Sequence, residues 1–397
     1  MINPQAYALG AHRSCIRDLF EYGNARAKEV GRENIFDYSL GNPSIPTPEA
    51  VTETLQALLK EQEPLALHGY TSAAGDPECR AAIAAELNRR YGADTKPEEF
   101  FLTCGAAPAL CAVLKALSVK NARLLVFAPY FPEYLVFAGE AGLAVDTVLC
   151  PPPEFSLSPD AIAQAVTPDT VAVLVNSPNN PTGTVYSTED LVRLAALLRE
   201  KAAAFGHPIY ILSDEPYREL VYDGYEVPFL PRLYPNTVVC YSYSKSLSLP
   251  GERIGYVYVP SQAENGQELL TAVAGAARAA GHVCAPALWQ KLVARCAHLR
   301  PDLASYDKNR QALYQGLLDA GYEAAQPQGA FYLFVKAPGG DAQAFSDFAK
   351  TKDVLLVPGD GFGCPGWFRL CYCVSPETIE RSLSVFSKLR IDYLSNV

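Results

Sequence analysis

Val171-Ala172-Val173-Leu174-Val175-Asn176-Ser177-Pro178-Asn179-Asn180-Pro181-Thr182-Gly183 leads through a helical window to Ile209-Tyr210-Ile211-Leu212-Ser213-Asp214-Glu215-Pro216-Tyr217. The two apolar runs are short and rich in β-branched residues, as strands buried on both faces are. Between them Leu191, Leu194 and Leu198 repeat at helical spacing behind Ser187, a residue type that caps helices. Strand, turn, helix, strand is the unit of a parallel sheet, and it decides for an α/β fold. The runs 124–127, 238–241 and 256–259 extend the alternation over residues 79–260. Leu110, Val113, Leu114 and Leu117 mark a further amphipathic helix behind a glycine turn.

Towards the C-terminus the pattern changes. A helix is expected over 301–320, a strand over 331–335, a helix over 341–352 and a strand over 367–374, which together describe a smaller α+β unit. The first 47 residues carry one helical window, Ser14 to Val30, and then the turn-rich Leu40-Gly41-Asn42-Pro43-Ser44-Ile45-Pro46. Composition alone lets them pack on either unit.

The chain has 397 residues, 49% of them hydrophobic and 19% charged, enough for a sizeable core and outside the compositions that leave a chain disordered. Its formal charge of −10 and lack of a basic run argue against nucleic acid as a partner. Eleven scattered cysteines, with no C-x-x-C pair, read as reduced core residues, and five histidines without a clustered partner offer no metal-ligand set. No signal-peptide layout opens the sequence and no apolar run approaches bilayer length, so no membrane association and a cytoplasmic location are expected.

Four segments hold polar residues that a plain sheet-and-helix core does not ask for. Thr103-Cys104-Gly105-Ala106-Ala107-Pro108 starts a helix, where free amides can bind an anion and where an ordinary loop-to-helix junction would look the same. Asn176 to Gly183 is a proline-stiffened turn at a strand's C-terminal end, where ligands gather in open α/β sheets; a turn alone would not need its pair of Asn. Asp214 ends an apolar strand and needs a cation or several donors to stay ionised there, unless it caps a helix. Ser242-Tyr243-Ser244-Lys245-Ser246-Leu247-Ser248-Leu249-Pro250-Gly251-Glu252-Arg253 follows another strand. Its hydroxyls and arginine suit phosphate. Its lysine, if held from water beside a cation, becomes a nucleophilic amine, although a lone lysine is usually solvated. A parallel sheet brings these strand ends to one edge. An amine for a Schiff base, a carboxylate for a pyridinium nitrogen and donors for a phosphate are together the set that pyridoxal phosphate requires.

On these motifs, and above all on Asn176–Gly183, Ser213-Asp214-Glu215-Pro216-Tyr217 and Ser242-x-Ser244-Lys245 with Arg253-Ile254-Gly255, the chain resembles the aspartate aminotransferase superfamily. These are the fold-type I pyridoxal-phosphate enzymes, and the likeness is to their class I and II aminotransferases over nearly the whole chain. The expected architecture is a large cofactor-binding domain, 48–297, with a mostly parallel sheet between helices. A smaller α+β domain is then built from both chain ends, 1–47 and 298–397.

The resemblance implies that Lys245 forms the Schiff base with pyridoxal 5′-phosphate and moves the proton from substrate Cα. It implies that Asp214 keeps the ring nitrogen protonated, that Tyr217 and Asn180 bond the ring oxygen, and that Tyr130 stacks on the ring. Ser242, Ser244, Arg253 and the amides of Ala106 and Ala107 would form the phosphate cup. Arg369, in a strand apolar on both faces, would hold the substrate α-carboxylate, with the Gly41 backbone beside it. Tyr70 would reach the phosphate of a neighbouring subunit, which implies a homodimer with shared active sites.

The chain departs from the family's pattern at Ala107-Pro108, where the cup loses one hydroxyl and one amide donor. No motif marks a reader of the substrate side chain, for which Arg17 and Arg278 are candidates. The function expected is ping-pong transfer of an amino group from an L-amino acid, such as aspartate, to a 2-oxo acid such as 2-oxoglutarate. A Cβ lyase on the same fold and a non-enzymatic cofactor-binding regulator are the alternatives.

Overall fold

A computed structural model describes residues 1–11 and 14–396. A seven-stranded sheet runs through the middle of the chain. Its strands are β1 (Phe100–Thr103), β2 (Arg123–Ala128), β3 (Ala144–Leu149), β4 (Thr170–Asn176), β5 (Tyr210–Asp214), β6 (Thr237–Ser242) and β7 (Gly255–Tyr258), in the order β1-β7-β6-β5-β4-β2-β3. Strands β2 to β6 are mutually parallel, whereas β7 lies antiparallel between β1 and β6.

Both faces of the sheet are covered, which is why its strands read as continuous apolar runs. Leu125, Phe127, Val173, Val175 and Ile211 join the core on one face with Leu191, Leu194 and Leu198 of the helix Thr188–Phe205. Their neighbours Leu124, Val126, Ala172, Leu174 and Leu212 join the other, with Leu110, Val113, Leu114 and Leu117. Alternation along each strand follows from successive side chains pointing to opposite faces. Ser187 caps its helix as expected, accepting the Asp190 amide at 3.0 Å, and Gly206 ends it with φ 75°. Such a cap contributes about 1 kcal/mol.

The later part of the chain builds a three-stranded antiparallel sheet of β8 (Tyr332–Lys336), β9 (Val357–Pro358) and β10 (Trp367–Cys371), in the order β9-β10-β8. Helices Leu303–Asp319, Ala342–Lys350 and Pro376–Asn396 pack with it. The last of these has no counterpart in the expectations above. It buries Ile379, Ser382, Phe386, Leu389 and Tyr393, a helical spacing in which a serine and polar flanks dilute the apolar stripe. Phe36 and Asp37 pair in parallel with Val354 and Leu355, so the N-terminal segment is tied to this part of the chain and Gly41 is delivered beside β8 and β10. Among the described residues, no helix is long and apolar enough to cross a membrane.

Candidate active site

Register alone sets Asn176 and Asp214 side by side and brings Ser242 to the end of the next strand. Asn176 is the partner of Asp214 across β4 and β5, Asp214 that of Cys240 across β5 and β6, and Ser242 of β6 lies opposite Gly255 of β7. These strand ends open onto a cavity of about 1130 Å³. Gly41, Ala106, Ala107, Asn180, Asp214, Tyr217, Ser242, Ser244, Lys245, Arg253 and Arg369 all line it, so distant sequence positions converge.

Lys245 sits in the short helical turn Tyr243–Ser246 that follows β6. Its amine donates to the Gly41 carbonyl at 2.6 Å and lies 5.2 Å from the Phe331 ring centre. Burial lowers its pKa to about 8, with smaller pushes in the same direction from the Arg253 and Arg369 cations. Gly41 must be glycine for this approach, because a Cβ there would stand 2.3 Å from the Tyr332 hydroxyl.

Asp214 is buried, and burial raises its pKa to about 7 even though the Tyr134 hydroxyl donates to Oδ2 at 2.5 Å. Asn176 Nδ2 donates to the Asp214 carbonyl at 2.9 Å and reaches Oδ2 at 3.4 Å. Oδ1 is buried and accepts no hydrogen bond. The next residue, Glu215, turns away into an ion pair with buried Arg218 at 2.8 Å, which ties down the loop that carries Tyr217.

An anion cradle forms where the turn after β6 meets the helix Ala106–Ala116. Ser242 Oγ caps the turn by accepting the Ser244 amide at 3.2 Å, and the two hydroxyls lie 2.6 Å apart. Arg253 holds a φ of 53° and lays its guanidinium over Gly105, where a Cβ would fall 2.8 Å from Nη2. Gly255 brings β7 equally close, for its Cβ would meet the Tyr241 carbonyl at 2.2 Å. The amides of Ala106 and Ala107 open the helix, and Pro108 gives none.

Arg369 is 1% exposed, stacked between Tyr332 at 4.7 Å and Phe362 at 5.1 Å. Its Nη1 donates to Asn180 Oδ1 at 2.9 Å and its Nη2 to the Ser39 carbonyl at 2.5 Å, while Nε has no partner. Asn180 itself is set by its own amide, which donates to Asn176 Oδ1 at 2.8 Å.

Two of the expected residues do not line the cavity of their own chain. Tyr130 does not line the cavity: its amide donates to the Phe362 carbonyl and its ring packs on Gly363, so Phe131 supplies the cavity wall instead. Tyr70 is 88% exposed and lies outside the cavity of its own chain. Of the two candidate side-chain readers, Arg17 lines the cavity and Arg278 does not. Asn176 opens a turn that the sequence marks but to which no role of its own was given there, and Tyr134 and Tyr332 are not marked by sequence at all. A buried asparagine closing an apolar strand was a usable signal for the first, whereas both tyrosines sit in apolar stretches and read as core.

The donor set fits pyridoxal phosphate: a desolvated amine, a buried carboxylate oxygen left without a donor, and a hydroxyl, guanidinium and amide cradle. Comparison with known proteins agrees. The family model for aminotransferase class I and II matches residues 33–386. An aspartate/prephenate aminotransferase of Thermus thermophilus is 32% identical over 384 residues, covering 92% of this chain and 94% of that relative. A crystal structure of an amino transferase from Eubacterium rectale superimposes with a TM-score of 0.95 at 49% identity, covering 99% of each chain. The aspartate aminotransferase structure of Thermotoga maritima gives a TM-score of 0.86 at 28% identity over the whole of both chains. With that match spanning most of its length, the chain belongs to the class I and II aminotransferases, which use pyridoxal 5′-phosphate.

Proposed function

We propose that this enzyme moves the amino group of aspartate to 2-oxoglutarate by a ping-pong exchange, with Lys245 as the amine that condenses with the cofactor. The observation that carries this reading is one cavity wall holding a lysine of lowered pKa, an unpartnered buried carboxylate oxygen and a buried guanidinium with a free Nε. When bound, pyridoxal phosphate supplies an aldehyde for the amino group and a ring that takes up electrons from the substrate Cα–H bond.

The chain's own residues do the rest. Arg369 offers a planar fork to the α-carboxylate, and its stacking between two rings fixes the plane of that fork. Lys245, with its pKa near 8, is able to take a proton from Cα and return it at neutral pH. Asp214 Oδ1, buried and without a donor, would accept the ring N–H, and Tyr217 and Asn180 would serve the ring oxygen. Ser242, Ser244, Arg253 and the amides of Ala106 and Ala107 would hold the phosphate, with Arg253 carrying more of the load because Pro108 donates nothing.

Arg17 at the cavity wall supports a dicarboxylate substrate, as do the relatives named aspartate and aspartate/prephenate aminotransferase. The reading includes a homodimer in which exposed Tyr70 reaches the partner's phosphate site, and a division into 48–297 against 1–47 with 298–397. It places the enzyme in the cytoplasm, in keeping with eleven unpaired cysteines.

The test is to add single L-amino acids to the holoenzyme without an oxo acid and to identify products. One equivalent of oxaloacetate per site from aspartate, with loss of the cofactor's aldehyde absorbance, is the expected result. Release of ammonia with the aldehyde form regenerated would assign a lyase. Arg369→Lys is expected to raise KM about 30- to 100-fold with a smaller change in kcat, since a point charge replaces a two-pronged contact. Unchanged steady-state constants would remove Arg369 from the substrate site.

A further inference from the structure

The two oxygens of the Asp214 carboxylate have unlike surroundings. Oδ2 is engaged by Tyr134 at 2.5 Å and by Asn176 at 3.4 Å, whereas Oδ1 is buried with no donor. Tyr134 is held firmly for this contact. It lies in the first turn of the helix Glu133–Ala141, is 1% exposed, and meets Phe131 edge-on at 5.6 Å and 85°.

The groups facing the carboxylate come from each neighbouring element: Tyr134 from that helix, Asn176 from β4, Cys240 from β6, and Glu215 and Tyr217 from its own segment. Glu215 opposes the Asp214 charge, and burial keeps the Cys240 thiol and the Tyr217 hydroxyl protonated. Among these groups only Tyr134 and Asn176 donate to the carboxylate, and the Tyr134 contact is much the shorter. A hydrogen bond donated to a carboxylate stabilises its anionic form, and here it also fixes which oxygen remains for a ligand.

We propose that Tyr134 is a positioning residue for transamination: by donating to Oδ2 it keeps Asp214 anionic, so that the proton shared between Oδ1 and the cofactor's ring nitrogen rests on the nitrogen. This rests on the reading of Asp214 as the ring-nitrogen partner. Tyr134 touches neither substrate nor cofactor in this role and acts through Asp214. Without the hydroxyl, the carboxylate competes more strongly for the shared proton and the ring loses its cationic character.

The experiment uses holoenzyme reconstituted with pyridoxal phosphate carrying 15N in the ring, and follows the ring-nitrogen shift with pH. It compares wild type, Tyr134→Phe and wild type with 3-fluorotyrosine placed at position 134, a stronger donor of the same shape. Because the balance of a proton shared within one pair does not change with pH, the expected order is read on the plateau below the pair's own titration: the ring nitrogen is least protonated for Phe, more for tyrosine and most for fluorotyrosine. The Phe variant is expected to lose kcat about 10- to 100-fold, as for a lost bond to a charged group, with little change in KM. A wild-type ring nitrogen unprotonated throughout would refute the Asp214 reading itself. A protonated wild type with any other order among the three proteins would overturn the role of Tyr134 alone. Because fluorotyrosine keeps the tyrosine packing, its comparison with wild type decides the matter even if the Phe variant does not fold.

Discussion

Lys245→Ala is expected to abolish transamination, with turnover falling by at least about 10⁴-fold, the combined loss of a nucleophilic amine and a general base. The fold is expected to survive, and the direction of its stability change follows from linkage. In the unfolded chain the lysine has its ordinary pKa of 10.5, and in the fold burial lowers it to about 8. Between those values the unfolded state binds more protons, so stability rises with pH through the window. Below pH 8 the cost of the buried charge is fully present. The alanine variant without cofactor should therefore match or exceed the wild type in thermal stability at pH 7, and lose that advantage by pH 10. A coupled assay of oxo acid formation and thermal unfolding at both pH values check the two halves. Retained transamination would place the essential amine elsewhere. A variant that melts far below wild type at pH 7 would make Lys245 a structural residue.

Much of the large sheet was legible in sequence because burial on both faces leaves uninterrupted apolar runs, and β2, β4, β5, β6 and β7 all lie on such runs. Less visible were β1 and β3. The burial of β3 is patchy, since it is an edge strand with Ala144, Asp146 and Leu149 turned partly or wholly to solvent, and its pattern matches neither a buried nor a half-buried strand well. The helix Pro376–Asn396 escaped because Ser382 occupies a core position, where its hydroxyl meets that of Tyr38 at 2.6 Å. A polar residue satisfied by a partner 344 residues away breaks an apolar stripe that the fold itself finds acceptable.

The site followed the same logic. Residues at the ends of parallel strands could be placed together because the topology does the placing, which is why Asp214, Asn180, Ser242 and Lys245 share one cavity. What sequence could not give is the direction in which a side chain turns. Tyr130 and Phe131 are adjacent aromatics, and Phe131 faces the cavity where the Tyr130 amide bonds the Phe362 carbonyl and its ring packs on Gly363. Tyr134 and Tyr332 look like core in sequence and are core by burial, yet their hydroxyls end on Asp214 and Tyr217. An amphipathic side chain of this kind carries its function at one atom, and periodicity reads only the ring.

Asp214→Asn separates function from stability most sharply, because the two are expected to move in opposite directions. The substitution keeps the shape and an oxygen for the Tyr134 hydroxyl but removes the charge that makes the ring nitrogen cationic. Breaking one side of a buried charge pair costs about 3–5 kcal/mol, which corresponds to a loss of ~10²- to 10⁴-fold in kcat/KM and a weaker hold on pyridoxal phosphate. In the cofactor-free fold the sign reverses. The carboxyl has its ordinary pKa of 3.8 when unfolded and about 7 when folded, so the folded state binds more protons between those values. Stability contributed by this group therefore falls as pH rises through that window, and the cost is complete above pH 7. At about 1.4 kcal/mol per pKa unit the wild-type apoenzyme carries a burden of a few kcal/mol at pH 8 that the asparagine variant lacks. Thermal unfolding of both apoproteins at pH 4.5 and 8 should show the variant gaining on wild type at the higher pH, while titration with pyridoxal phosphate shows it binding more weakly. A variant that loses apoprotein stability at pH 8 and binds the cofactor like wild type would mean that Asp214 serves the fold rather than the ring. A structural carboxylate has no reason to be held unsatisfied at Oδ1 in a cavity wall, whereas one that awaits a cationic ring has, and the pH dependence of the apoprotein measures the cost of holding it so.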